Sequence, residues 1–272
     1  MFRSWKKKRE TEYVKSLPER LASEWEDFQP DPWGDYWNVP CAKCPKFDRF
    51  PPRCTVPIGS RMRSCVCASI EYHLRNVRGL NVLEIGCGEN PFTRHVVEAA
   101  GGEWTGVDPR PGKKGLKSVR SLEGSANHLP FEDEQFDVIV DIQTLEHWGC
   151  PYSEPKDCDY ASAFAEIWRA LRPGGFIYFD APIHLHGAQE FIQGELDKIR
   201  IFFTTQLWTH ITLTAWRRSH RPLRKIIAAK AERLRWPEIF GHDPAVLREL
   251  KGRSAWVLGI RADKPATDST AP

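Results

Sequence analysis

Long apolar runs are absent from this 272-residue sequence, and no stretch approaches the roughly 18 residues that a membrane-spanning helix requires. The basic segment Met1–Arg9 lacks the apolar stretch and cleavage site of a secretory signal, so we expect a cytoplasmic protein. The sequence also lacks a large excess of one charge. Its net charge of +3 does not by itself require a nucleic-acid partner. With 41% hydrophobic and 28% charged residues, the composition is ordinary for a folded domain with a sizeable core.

A glycine-rich turn is the most informative pattern that the sequence contains. Val82–Ile85, which is apolar except for Glu84, predicts a strand. Gly86 and Gly88 follow it, and Pro91–Ala100 predicts a helix. Two close glycines let backbone approach a ligand, and the start of a helix offers N–H groups to a polar or anionic group. The third glycine of the dinucleotide-binding motif is missing, since Pro91 stands at its place. On its own, this pattern is equally consistent with a plain strand-to-helix connection.

Further motifs follow the turn in a defined order. Glu103–Asp108 predicts a short strand ending in an acid about 20 residues past the glycines, where a carboxylate can bind ribose hydroxyls. The segment Gly124–Phe131 comes next, followed by a predicted strand at Phe136–Val140. The motif Leu171–Gly175 and a strand at Phe176–Phe179 complete the series. Several spaced motifs in this order are more specific than any one of them.

The order of these motifs resembles the class I methyltransferases that depend on S-adenosylmethionine. The resemblance covers approximately Asn81–His186 and the last predicted strand near Ala255–Arg261. It implies an α/β fold with a doubly wound, Rossmann-like sheet of seven strands. It also implies that S-adenosylmethionine is the cofactor.

The same resemblance assigns roles to individual residues. The glycine turn would hold the methionine part of the cofactor, the acid after the second strand would bind ribose, and the segment at 125–126 would lie against adenine. The segment after the fourth strand would line the methionine and the reaction centre. The implied cofactor-binding residues are Glu84, Gly86, Cys87, Gly88, Asp108, Pro109, Ser125, Ala126, Ile142 and Gln143.

Histidines supply the candidates for acid–base chemistry. An oxygen or nitrogen nucleophile can need a base to remove its proton. His147, His184 and His186 each follow a predicted strand at the rim where ligands bind in such sheets. Structural roles are an equal alternative, and His184 with His186 could instead bind a metal. Asp180 could orient one of these histidines.

Five of the eight cysteines lie in one short, proline-rich segment. Four thiolates from such loops can enclose Zn²⁺ tetrahedrally, and an iron–sulfur cluster also takes four thiolates. We predict a metal site formed by Cys41, Cys44, Cys54 and Cys65, with Cys67 as an alternative ligand. Free buried cysteines and disulfides are the remaining explanations, and disulfides are disfavoured in a reducing cytosol.

Three regions are predicted along the chain. Residues 1–75 form an N-terminal extension with a helix and the cysteine segment, residues 76–262 form the cofactor-binding domain, and residues 263–272 form a disordered tail. A helical insertion at about 217–251 is basic through Arg217, Arg218, Arg221, Arg224, Lys225, Lys230, Arg233 and Arg235. This insertion could hold an acidic substrate or RNA, and a solvated helix face is an equally weighted alternative.

Together these patterns predict an enzyme, a methyltransferase that acts on an oxygen or nitrogen acceptor. The segments Pro182–Gly187 and Trp216–Arg218 loosely resemble methyltransferases of bacterial cell-surface glycan synthesis, which favours a glycan or nucleotide-linked small molecule. The alternatives are an RNA methyltransferase and a non-catalytic, metal-containing scaffold or nucleic-acid-binding protein on the same fold. Met1–Arg9 also allows peripheral contact with an anionic membrane, although a solvated terminus is the more ordinary explanation.

Overall fold

The computed structural model describes residues 66, 69–88, 92–109, 121–149, 158–184, 187–204, 206–218, 231–236 and 256–267. The cysteine segment of the N-terminal extension, most of the basic insertion and the last residues of the chain lie outside this set. The predictions made for those parts therefore stay predictions.

A single mixed sheet of eight strands forms the centre of the described structure. Its strands are β1 (Asn81–Ile85), β2 (Glu103–Asp108), β3 (Ser121–Glu123), β4 (Phe136–Ile142), β5 (Leu171–Ile183), β6 (Thr209–Arg218), β7 (Ala231–Trp236) and β8 (Trp256–Asp263). The order across the sheet is β3-β2-β1-β4-β5-β8-β6-β7. Along this order, β3, β2, β1, β4 and β5 pair with one another in parallel. The remaining pairs, β5 with β8, β8 with β6 and β6 with β7, are antiparallel. The predicted Rossmann-like α/β sheet is thereby confirmed.

The strand order reverses at β1, which lies between β2 and β4. From β1 the chain builds β2 and β3 on one side, then returns to build β4 and β5 on the other. In open α/β sheets, ligands bind beyond the carboxyl ends of the strands at such a reversal. The turn at residues 86–88 follows β1 directly and therefore lies at this point.

Helices cover both faces of the sheet. They are α1 (Phe92–Ala99), α2 (Tyr160–Ala170), α3 (Gln189–Gln193) and α4 (Leu196–Ile201), with 3₁₀ turns at Leu145–His147 and Phe202–Thr204 and a helical segment at 69–74. Asp159 caps α2, because its side chain accepts a hydrogen bond from Ser162 N–H at 2.9 Å. None of the helices in the described ranges is long and apolar enough to cross a membrane.

The central strands are apolar because both of their faces are buried. Val82 belongs to a core cluster shared with the helical segment 69–74 and α1, whereas Leu83 and Ile85 belong to a cluster shared with α2, α3 and α4. Strands with two buried faces read as continuous apolar runs rather than alternating ones. This explains why the sequence pattern identified β1 and β4 well.

The prediction of a helical insertion at about 217–251 is wrong for the described part of that range. Arg217 and Arg218 end β6, and Ala231–Trp236 forms β7, which pairs antiparallel with β6. A strand forms here because the edge of β6 offers backbone hydrogen-bond partners, and the basic residues of the insertion carry no information about such an edge. The family resemblance implies seven strands, and β7 is the additional strand that gives this sheet eight.

Candidate functional site

Hydrogen bonds to the end of β2 shape the turn at residues 86–88. The backbone N–H groups of Gly86 and Cys87 both donate to Val107 O, at 2.8 and 3.2 Å. Gly86 has a φ of +66° and Gly88 a φ of +49°. This left-handed backbone costs other residues roughly 1–2 kcal/mol because Cβ meets the following carbonyl. Glycine therefore lets the chain turn without strain and leaves the backbone open.

Gly86 also permits a close approach by the loop that follows β4. A Cβ at Gly86 would lie only 2.4 Å from Thr144 Oγ1. Thr144 is fixed from β4, since its N–H donates to Asp141 Oδ1 at 3.1 Å. The turn at residues 86–88 and the loop at residues 143–147 therefore form one continuous surface, which we call the wall. Both regions were predicted to contact the cofactor, and the fold brings them together.

Asp108 ends β2 beside the glycine turn. Its Oδ2 accepts a hydrogen bond from Gly88 N–H at 3.0 Å, and the side chain is half-buried. The acid predicted from the spacing is thus held next to the glycines. Its role toward a ribose stays a prediction, as does that of the half-buried Pro109 that follows.

Glu84 is a buried acid inside β1, where only 4% of it is exposed. Trp104 Nε1–H donates to Glu84 Oε2 at 2.7 Å. Burial raises the pKa of this carboxyl to about 8, although hydrogen bonds from Trp104 and Thr93 oppose the rise. The carboxyl can therefore change its charge near neutral pH in response to what binds beside it.

The predicted adenine segment forms a tight turn after β3. Ser125 Oγ donates to Asn127 Oδ1 at 2.7 Å, and Ala126 is buried. The side chain of Ser125 is therefore engaged within its own turn. Contact of this segment with a cofactor stays a prediction.

Two further predicted cofactor residues, Cys87 and Ile142, also have buried side chains. Cys87 is 5% exposed and Ile142 is 6% exposed. Burial, with the neighbouring charge of Glu84, raises the pKa of the Cys87 thiol and makes it a poor nucleophile. Both residues can therefore offer mainly backbone atoms to the wall.

A buried acid also fixes the loop that follows β4. Asp141 Oδ1 accepts hydrogen bonds from Thr144 N–H at 3.1 Å and from Leu145 N–H at 2.8 Å. Among the described residues, Asp141 Oδ2 is buried without a hydrogen-bond partner. Burial and the charge of Glu146 raise the pKa of Asp141 well above its usual value. The loop is thus held by an acid that is costly to ionise.

Gln143, which was predicted to line the reaction centre, is bound to the neighbouring strand β5. Its backbone N–H donates to Asp180 O at 3.0 Å, and its Nε2 donates to Asp180 Oδ1 at 2.6 Å. Asp180 is fully buried, and burial raises its pKa to about 7 while the Gln143 hydrogen bond opposes the rise. The polar groups of β4 and β5 are thereby linked at the ends of the strands.

The candidate histidines follow these same two strands. His147 lies in the 3₁₀ turn after β4, with Nε2 3.6 Å from Glu146 Oε1. His184 follows β5 with a φ of +62°, and its Nδ1 lies 3.2 Å from Ile192 O. Both therefore lie at the carboxyl edge of the sheet, and their catalytic roles stay predictions. His186 lies outside the described residues.

The predicted cofactor and catalytic residues did not include three groups that shape the wall, which are Asp141, Thr144 and Tyr178. Tyr178 O–H donates to Asp180 Oδ2 at 3.3 Å, so it supports the wall from the interior of β5. A usable signal existed for the acids, since Asp141 and Asp180 each interrupt an apolar strand. Buried carboxylates of this kind need a structural or functional partner.

The predicted metal ligands Cys41, Cys44, Cys54, Cys65 and Cys67 lie outside the described residues. Within the described ranges, no group of three or more His, Cys, Asp or Glu side chains is arranged to hold a metal ion. The cysteine-bound metal therefore stays a prediction.

Comparison with known protein families agrees with this geometry. Residues 83–179 match the family model described as a methyltransferase domain. The matched range begins within β1 and ends within β5. It thus contains the glycine turn, the acid at the end of β2 and the loop after β4.

Individual proteins match a similar share of the chain. The phthiotriol/phenolphthiotriol dimycocerosates methyltransferase of Mycobacterium leprae is 29% identical over 112 residues, which cover 38% of this chain and 38% of that protein. The demethylmenaquinone methyltransferase of Lactococcus lactis is 29% identical over 112 residues, covering 37% and 41%. The chain thus spans about two fifths of the length of these curated relatives. A crystal structure of a SAM-dependent methyltransferase from Archaeoglobus fulgidus gives a TM-score of 0.48 at 14% identity, covering 73% of this chain and 93% of that one.

Proposed function

We propose that residues 83–179, which match a methyltransferase domain, form a class I methyltransferase that uses S-adenosylmethionine and is active toward an oxygen or nitrogen acceptor. The observation that carries the proposal is the hydrogen bond between Gly88 and Asp108. It joins the glycine turn to the acid of the next strand at the point where the strand order reverses. Ligands of α/β sheets bind at such a point.

The chemistry of the wall fits this cofactor. S-adenosylmethionine carries a positive sulfonium and an ammonium group, and the glycine turn lies beside the acids Glu84 and Asp108. A positive group beside Glu84 would lower its raised pKa and favour the carboxylate. Gly86 lets Thr144 pack directly against the turn, and among the described residues a Cβ at Gly88 would meet only Gly86 O at 3.9 Å, so the space at Gly88 is open to a ligand. Charge and space therefore both favour the cofactor.

The cofactor supplies, when bound, a methyl group on a sulfonium that a nucleophile can take. The protein must then position the acceptor and exclude water. Gly86, Gly88 and Asp108 would hold the cofactor, and Gln143 would line the reaction centre. His147 or His184 would remove the proton of the acceptor.

An oxygen or nitrogen acceptor is supported by the polar rim that Gln143, Thr144 and the two histidines form after β4 and β5. For the acceptor we propose an anionic glycan or nucleotide-linked small molecule. Basic residues at the sheet edge support this class, because the register sets Arg233 opposite Trp216 and Arg235 opposite Thr214 on β6 and β7. The same arrangement supports RNA as a second candidate acceptor.

Calorimetry with S-adenosylhomocysteine under reducing conditions tests the cofactor site. We expect micromolar binding by the wild type. Asp108→Ala is expected to weaken it about 10- to 100-fold, because hydrogen bonds to a charged group contribute roughly 1.5–3 kcal/mol. Glu103→Ala, at the exposed start of the same strand, is the matched control and should bind normally. Absence of binding by the wild type, or equal losses in both variants, contradicts the proposal.

Transfer of a labelled methyl group identifies the acceptor class. Purified protein is incubated with S-adenosylmethionine and with anionic saccharides, total RNA or demethylmenaquinone in parallel. We expect label in the saccharide fraction and its loss in Asp108→Ala. Label in RNA alone establishes the second candidate. Salt-sensitive RNA binding without any transfer establishes a non-catalytic scaffold.

We also propose that Cys41, Cys44, Cys54 and Cys65, with Cys67 as substitute, bind Zn²⁺. The close pair Cys41/Cys44 and the prolines of the segment support ligation over packing in a core. Elemental analysis of freshly purified protein should find about one zinc per chain. Iron with sulfide would indicate a cluster instead, and the absence of both metals would contradict the proposal.

A further inference from the structure

Gln143 has an unusual conformation and is hydrogen-bonded to Asp180 by both its backbone and its side chain. Its φ of +59° lies in the left-handed region, which a residue with a Cβ adopts at a cost. Both its backbone N–H and its side-chain Nε2 donate to Asp180, at 3.0 and 2.6 Å. Strained residues of this kind cluster at functional sites, because the surrounding structure must hold them.

Buried residues of the protein interior hold the Asp180 carboxyl in place. Tyr178 O–H donates to its second oxygen at 3.3 Å, and the Tyr178 hydroxyl is hydrogen-bonded to Ser69 Oγ. The ring of His73 stacks on Tyr178 with centroids 4.1 Å apart. Asp180 is fully buried, so its carboxyl group cannot reach an acceptor. Any effect it has at the rim must act through Gln143.

We propose that Asp180 is a positioning residue that turns the Gln143 amide so that Nε2 faces β5 and the carbonyl oxygen faces the acceptor. A carboxylate only accepts hydrogen bonds, so it selects the amide nitrogen and directs the carbonyl oxygen to the other side. That oxygen would accept a hydrogen bond from the O–H or N–H that is to be methylated. The inference rests on the proposed function, because it takes the wall at Gln143 as the reaction centre. It makes the pair selective for acceptors that carry a hydrogen-bond donor.

The orientation depends on the charge of Asp180. A carboxylate accepts from the amide nitrogen, whereas a protonated carboxyl donates to the amide oxygen and favours the opposite rotation. Burial raises the pKa of Asp180 to about 7, so the proposed orientation should predominate above this pH. The titratable groups that face Asp180 from the packed elements are Glu84, Asp141, Glu146, Tyr178 and, through Tyr178, His73. The paired residue on β8 is the uncharged Gly259.

Nuclear magnetic resonance of glutamine side chains labelled with ¹⁵N tests the orientation directly. The chain has few glutamines, and Gln143→Asn identifies the Gln143 signal by its loss. Gln135 is an internal reference, because its Oε1 accepts from the exposed Glu132 N–H away from the wall. Well above pH 7, we expect one Gln143 amide proton far downfield of those of Gln135. This shift should diminish on acidification with a midpoint near pH 7.

Two variants separate positioning from general support of the fold. Asp180→Asn keeps the shape and should abolish both the downfield shift and its pH dependence. Tyr178→Phe should keep the downfield shift but raise the midpoint, because the Tyr178 hydrogen bond lowers the pKa of Asp180. The proposal is overturned if the chemical shift of the Gln143 amide proton does not change with pH in the wild type. It is also overturned if that shift is the same in Asp180→Asn. If Asp180→Asn does not fold, the wild-type titration and Tyr178→Phe decide.

Calorimetry with S-adenosylhomocysteine keeps this inference distinct from the proposed function. Above pH 7, Asp180→Asn should bind within about threefold of the wild type, because it leaves the glycine turn and Asp108 intact. Loss of binding by the wild type contradicts the proposed function, whatever the amide shows. Normal binding with a pH-insensitive Gln143 amide contradicts only the positioning role.

Discussion

The two halves of the candidate site hold their turns by different means. At the ends of β1 and β2, Gly86 and Gly88 adopt positive φ and the acid Asp108 accepts from a backbone N–H. At the ends of β4 and β5, the non-glycine residues Gln143 and His184 adopt positive φ. There the support comes from partners distant in sequence: Gln143 N–H donates to the backbone oxygen of Asp180, and Gln143 Nε2 donates to the buried Asp180 carboxyl.

The difference shows two ways to stabilise a strained turn. A residue without a Cβ avoids the strain locally, and its conformation does not depend on a partner. A residue with a Cβ needs partners elsewhere in the fold, and Gln143 finds one 37 positions along the chain. Because that partner is a buried carboxyl, the strained turn at Gln143 can respond to protonation of Asp180, whereas the positive φ of Gly86 and Gly88 needs no titratable partner.

Gly86→Ala should have the largest effect, because it breaks the glycine half directly. The new Cβ would lie 2.4 Å from Thr144 Oγ1 in a backbone with a φ of +66°. Strain and overpacking together predict a loss of about 2–6 kcal/mol in cofactor binding or folding. Gly88→Ala is the matched control, since its Cβ would meet only Gly86 O at 3.9 Å. Calorimetry and urea unfolding measure both, and equal losses would contradict the role of the close contact.

Glu84→Gln should remove a pH dependence of stability from the same half. Because burial raises the pKa of Glu84 from 4.5 to about 8, the folded state retains a proton that the unfolded state releases between these values. The free energy of unfolding should therefore fall as pH rises from 4.5 to about 8. Glutamine keeps an acceptor for Trp104 and should recover about 2–5 kcal/mol at the alkaline end. Urea unfolding across this pH range measures the free energy of unfolding, with Glu103→Gln as an exposed control. If the wild type and Glu84→Gln show the same dependence of this free energy on pH, the prediction is contradicted.

Gln143→Ala and Gln143→Gly isolate the cost of positive φ in the other half. Both remove the amide, but only alanine keeps a Cβ in the left-handed backbone. The alanine variant should be less stable to urea by about 1 kcal/mol. At Gln135, which is not among the residues with positive φ, the same pair should show the reverse order. Equal stabilities at Gln143 would mean that its conformation is not strained.

His184→Asn should have the smallest effect on cofactor binding. Asparagine tolerates the φ of +62° better than most residues, so the turn should persist. Since the histidine is proposed to act on the acceptor, affinity for S-adenosylhomocysteine should stay within about twofold. Calorimetry measures this. A loss of about tenfold in affinity would place His184 in the cofactor site, and the two halves would then no longer differ in what they bind.

Much of the fold was predictable where local pattern decides structure. The strand Glu103–Asp108 has the predicted bounds, and α1 begins within a residue of its predicted start. Apolar runs and glycine turns report short-range physics, so they identify such elements well. β7 was missed because an edge strand forms only where a neighbour offers its backbone. The final strand was predicted near Ala255–Arg261 but occupies Trp256–Asp263, because its pairing with β5 and β6 sets its bounds.

The sequence by itself determined the glycine turn, the acid that follows it and the match of residues 83–179 to a methyltransferase domain. These features are local, because a missing Cβ and a strand end carry their consequences within a few residues. Only the tertiary structure decided that Gln143 and Asp180 meet, that Asp141 and Asp180 are buried, and that Thr144 touches Gly86. Those facts depend on which strands become neighbours in the sheet. The pKa of a buried carboxyl in turn depends on that neighbourhood rather than on its position in the chain.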